Sequence, residues 1–142
     1  MALITDDVAA QLKTEFASLV NPVRLAVFSA ALADPESEQV KRLVEELAAL
    51  EPKITALSYN FVLDKEKVGE LGIQRIPAIA ILGAEKDYGI RMYGLPSGYE
   101  FGTLIDAILD VSSGQSGLSD ATRTALAEVK GPVQIQVFST PT

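Results

Sequence analysis

The 142-residue chain contains no cysteine and no histidine. Without a thiol, disulfide exchange, thiolate catalysis and zinc–thiolate sites are excluded for this chain alone. Without imidazole, the usual general base near neutral pH and the commonest transition-metal ligand are gone. Carboxylates, hydroxyls, Lys, Arg and Tyr are what remain for chemistry. Positive charge is also scarce, with 12 Lys and Arg against 19 Asp and Glu and a net charge of −7. That balance repels a phosphate backbone and no basic cluster offsets it, so no nucleic-acid partner is expected. No apolar run is long enough for a membrane span, and none is expected. The acidic opening MALITDDVAA lacks the basic and apolar regions of an export signal, so a cytoplasmic location is expected.

What is present fits a globular core, with 48% apolar and 22% charged residues. Val8, Leu12, Phe16 and Leu19 form one stripe of a first helix, with Asp6 and Asp7 at its positive end and Asn21-Pro22 closing it. VRLAVFS (23–29) reads as a buried strand. DPESEQVKRLVEELAAL reads as a helix capped by Asp34, with Pro35 in its first turn and Val40, Leu43, Val44 and Leu47 facing inward. KITALSYNFVL alternates as a second strand, and DKEKVGELG fits a short helix ending at Gly72. PAIAIL and YGIRMYG read as a hairpin around the polar turn GAEKD. Ser97 with Glu100 forms a capping-box pattern for a helix burying Phe101, Leu104, Ile105 and Ile108. SSGQSG is a connector, LSDATRTALAEVK a weaker helix, and VQIQVFS (133–139) a final strand running into the loop Ser-Thr-Pro-Thr.

Between residues 23 and 112 the order is β-α-β-α-β-β-α. The first two strands are expected to be parallel with a right-handed crossover, and the last two to form an antiparallel hairpin. This is a four-stranded mixed α/β sheet with helices on both faces, the thioredoxin-like order, with an extra N-terminal helix and a C-terminal helix-strand extension. The expected organisation is a thioredoxin-like domain at 1–112, a linker at 113–118, and at 119–142 the helix and first strand of a truncated second unit.

Further residues carry a family likeness. RIPAI (75–79), YGIRMYGLPSGYEF (88–101) and the terminal VQIQVFSTPT carry it, VFS…EQVKRLVEEL supports it, and the likeness covers nearly the whole chain. In these the chain resembles the N-terminal half of the glutaredoxin-like protein disulfide oxidoreductases, built of tandem thioredoxin folds. It is also similar to the N-terminal domain of the flavoprotein component of alkyl hydroperoxide reductase. The resemblance implies a C-x-x-C pair between the first strand and the following helix. Aligned from VKRLVEEL, those four positions are Asp34, Pro35, Glu36 and Ser37, and neither a carboxylate nor a hydroxyl forms a disulfide. The resemblance also implies a cis-proline at Pro77. Ile76 and Pro77 then form a candidate edge for docking an extended peptide, or a turn required by the fold.

No catalytic residue, metal site or cofactor is expected. Ser37 has no base paired with it in sequence. GLPSG (94–98) lacks the phosphate-loop pattern. Glu45-Glu46 and Asp6-Asp7 lack a loop that would gather oxygens around a cation. Tyr88, Met92, Tyr93, Tyr99 and Phe101 are expected in the core. The expected function is a redox-inactive half of a thiol–disulfide oxidoreductase, a scaffold or docking domain for a second thioredoxin-like unit that bears the cysteines. A reductase or a protein substrate is the further partner implied for the parent. The alternative is a stand-alone peptide-binding module without redox chemistry. Residues 132–139, left without strand neighbours, are expected to form a homodimer or exchanged pairing, or to be disordered.

Overall fold

A computed structural model describes residues 2–30 and 34–140. Among them the order is α1 (Asp6–Phe16), β1 (Val23–Ser29), α2 (Pro35–Leu50), β2 (Ile54–Asn60), α3 (Lys65–Glu70), β3 (Ala78–Gly83), β4 (Ile90–Tyr93), α4 (Tyr99–Ser113) and α5 (Asp120–Ala127). β1 is apolar on both faces because it lies inside the sheet, whose order is β2-β1-β3-β4. It pairs parallel with β2 and antiparallel with β3, and β3 pairs antiparallel with β4.

Alternation along β1 divides the core. Leu25 and Val27 point to the face covered by α1, α2 and α4, where Phe16, Val40, Leu47, Leu104 and Ile108 pack. Ala26 and Phe28 point to the other face, with Val68 and Leu71 near α3 and the half-buried Tyr59, which stacks on Phe28 at 5.1 Å. The small residues Ala26, Ala78 and Ala80 leave room for Phe28 there.

Three local expectations change. The capping pattern at Ser97 and Glu100 does not cap α4, because Gly98, at a φ of 57°, is the N-cap and the helix begins at Tyr99. A positive φ turns the chain after Ser97, whose carbonyl instead accepts the Glu100 N–H at 3.1 Å. Tyr99 is not a core residue, being 84% exposed on the first turn of α4, and Tyr88 is 44% exposed. Residues 133–138 are not a strand; they have no ladder partner among the described residues, and an exposed segment without a neighbouring strand leaves its backbone groups to water.

The C-terminal end of α4 is locked to the α1–β1 loop. Ser112 Oγ accepts N–H bonds from Val20 (2.9 Å) and Asn21 (3.1 Å) and donates to Asn21 O at 2.8 Å. Beyond Gly114, left-handed at φ 68°, every described residue is exposed.

Candidate functional site

The β-α-β order puts the carboxyl ends of β1 and β2 at one end of the sheet, with the amino end of α2. Register brings the start of β3 and the end of β4 to the same place, since Phe28 faces Ala78 and Ala78 faces Tyr93. The Asp34–Ser37 turn and the Ile76–Pro77 step therefore lie at one end of the molecule, as do the exposed Val62 and Leu63 after β2.

Asp34 is the N-cap residue of α2, but its side chain caps no backbone N–H. It accepts a short hydrogen bond from Ser37 Oγ instead. Ser37 is 2% exposed, and its oxygen also takes the Ala30 N–H at 3.5 Å, a long contact. The hydroxyl is committed to a carboxylate and sealed from solvent, which suits it to tying the turn together rather than to attacking a substrate. Pro35 supplies the fixed φ of the first helical turn.

Glu36 links the two halves of the site. Its Oε1 accepts the Leu95 N–H at 3.2 Å, and the neighbouring Gly94 donates its N–H to Pro77 O at 2.9 Å. The Ile76–Pro77 peptide bond is cis, Pro77 is buried and Ile76 half-buried. Sequence reasoning misses the Glu36–Leu95 contact, and no local signal could have shown it, because the partners are 59 residues apart.

The clear charge shifts lie elsewhere. A hydrogen bond from Arg91, with help from the Gly89 N–H, holds the Asp87 carboxyl below its ordinary value despite some desolvation. Glu70 beside Lys67 raises that ammonium on the solvated surface of α3. Among the described residues no group of three or more His, Cys, Asp or Glu could hold a metal ion. No described helix is long and apolar enough to cross a membrane.

No family model matches the chain. Among curated proteins, it is 27% identical over 106 residues to the alkyl hydroperoxide reductase protein AhpF of Staphylococcus epidermidis, covering 75% of this chain and 18% of that protein. Among solved structures, a protein disulfide oxidoreductase from Aeropyrum pernix superposes with a TM-score of 0.79 at 30% identity, over 92% of this chain and 57% of that one. The NTD_N/C domain of alkylhydroperoxide reductase AhpF from Enterococcus faecalis gives 0.77 at 29% identity, over 84% of this chain and 58% of that one. The chain thus spans under a fifth of the curated relative and little more than half of the two solved chains. It is a thioredoxin-fold relative of protein disulfide oxidoreductase and of the N-terminal domain of alkyl hydroperoxide reductase AhpF.

Proposed function

We propose that this chain is a redox-inactive thioredoxin-like unit that serves as scaffold and docking domain for a second, cysteine-bearing unit of the same fold in a thiol–disulfide oxidoreductase. The observation that carries the reading is an internal repeat. VQIQVFS at 133–139 repeats VRLAVFS at 23–29, and GPV before it matches NPV. Each copy follows a helix whose N-cap hydroxyl, Thr5 or Ser119, accepts an N–H from the residue three positions on. In the first copy Val23, Leu25, Val27 and Phe28 are at most 1% exposed; their counterparts Val133, Ile135, Val137 and Phe138 are 70–90% exposed.

Burying each of those four side chains would contribute about 1.5–3 kcal/mol, a large incentive to find the sheet that β1 has and the repeat lacks. A second thioredoxin-like unit supplies such a sheet. The greater length of the solved relatives supports room for one. By the register of the repeat, the counterparts of Asp34 and Ser37 fall just past Thr142. This part of the reading is tested on the coding sequence that follows. A Cys-x-x-Cys motif directly after FSTPT is expected, and a stop codon after Thr142 would sink the tandem reading.

The absence of thiols at Asp34 and Ser37, with the Ser37 hydroxyl turned inward on Asp34, supports the redox-inactive half of the proposal. The soluble, cytoplasmic setting and the reductase or protein substrate of the parent belong to the same proposal. The Ile76–Pro77 edge is the weaker docking candidate, since Pro77 is buried and its carbonyl is already taken by Gly94.

A further inference from the structure

β2 is an edge strand, and the middle of its outer rim is open. Val23 N donates to Lys53 O at 2.8 Å and Phe61 N to Ser29 O at 3.0 Å. Between those contacts, alternation turns the backbone groups of Thr55, Leu57 and Tyr59 toward β1. The groups of Ile54, Ala56, Ser58 and Asn60 then point away from the sheet. The ends of this rim are closed within the chain. Ile54 N donates to Glu51 O at 2.9 Å, and Asn60 N donates to Asp64 Oδ2 at 2.6 Å. Ala56 and Ser58, in the middle, have no such partner among the described residues. The strand, ITALSYN, holds no charge, proline or glycine, the devices that ordinarily blunt an edge.

Charge beside this rim is self-complementary. Helix α2 brings Lys41 and Glu45 next to Ala56 and Ser58, where they line one small surface depression together. The two side chains are one helical turn apart and opposite in sign. A twofold axis through Leu57 would pair Ala56 with Ser58 of a second copy, and Ser58 with its Ala56, each pair exchanging both N–H···O bonds. The same rotation sets Lys41 against Glu45 of the second copy on one face. On the other face it sets Tyr59 against Thr55, and Leu57 against itself.

We propose that two copies of this chain associate antiparallel through β2, joining their sheets into one continuous sheet, with Ala56 and Ser58 supplying the hydrogen bonds and Lys41 and Glu45 the charge match. The contact is isologous, closes on itself and needs nothing from residues 118–142. It is therefore independent of the repeat at 133–139.

Sedimentation velocity of the full chain over a concentration series tests it. The expected result is a concentration-dependent shift from one chain to two. Ser58→Pro removes one outward N–H at a position where an edge strand accepts proline, and should leave a single-chain species. Lys41→Glu should weaken association on the order of tenfold by facing Glu45 of the other copy. Adding Glu45→Lys to it should restore the wild-type constant, which a purely structural role of either residue would not do. Val137→Lys with Phe138→Lys should leave association unchanged. Two results would overturn the proposal. One is a wild-type chain that stays single throughout the series; the other is association that survives Lys41→Glu and Ser58→Pro but is lost in the Val137→Lys/Phe138→Lys variant.

Discussion

Ser37 Oγ donates to the Asp34 carboxylate across the first turn of α2, so these two side chains meet at the end of β1. Side chains that reach each other at this spacing should also be bridgeable by sulfur. Asp34→Cys with Ser37→Cys is expected to oxidise to an intramolecular disulfide, read as the loss of titratable thiol without a change in the number of chains. Failure to oxidise would mean that the turn does not hold the two positions face to face. Ser37→Ala alone should cost about 1 kcal/mol, the net worth of one hydrogen bond, in urea unfolding.

Ser112 is 1% exposed and takes two backbone N–H groups of the α1–β1 loop. Ser112→Ala removes the one oxygen that accepts both N–H groups, and its own O–H donor, while leaving the backbone groups in place. A loss of about 1–3 kcal/mol is expected, with an unchanged denaturant slope. A change below a few tenths would show that water replaces the hydroxyl.

Glu46 anchors the segment before α1. Its carboxylate accepts the Leu3 N–H at 2.9 Å and the Ile4 N–H at 2.8 Å. Glu46→Ala should speed hydrogen exchange at both amides while leaving β1 amides protected. Equal exchange in the variant and the wild type would rule out this anchor.

Much of this architecture is legible in the sequence because it is periodic. The stripes of α1 and α2 and the apolar runs of β1 and β3 announce their own burial, and Phe28, Leu47 and Ile108 are in the core as the spacing implies. What escapes is what depends on distant partners. Ser112 reads as part of a polar connector until Asn21, 91 residues away, is placed beside it. Tyr99 reads as apolar mass, but the turn at Gly98 starts α4 with that ring in solvent. VQIQVFS carries the alternation of a strand, yet a strand is made by its neighbours. The Asp34–Ser37 turn is legible as a position in the fold, whereas the Glu36–Leu95 contact beside it is not.

Acid sensitivity should concentrate partly at Asp87. The Arg91 guanidinium, whose Nη2 lies 2.5 Å from Asp87 Oδ2, keeps this carboxyl ionised to lower pH in the folded state than in the unfolded one. Its stabilisation is then fully present above the ordinary carboxylate range and is lost as pH falls through the lowered value. Because the Asp87 side chain is 35% exposed, the effect should stay below about 1 kcal/mol. Asp87→Asn should be less stable than wild type in urea at neutral pH, with the gap narrowing as pH falls below the ordinary carboxylate range. A gap that widens on acidification would reverse the assignment.

Whether this thioredoxin-like fold works without redox chemistry is tested most directly by insulin-disulfide reduction with dithiothreitol as electron source. Insulin should precipitate at the same rate with and without the wild-type chain, because no residue here can carry a mixed disulfide. Acceleration by the wild-type chain that persists in Ser37→Ala would contradict the central claim.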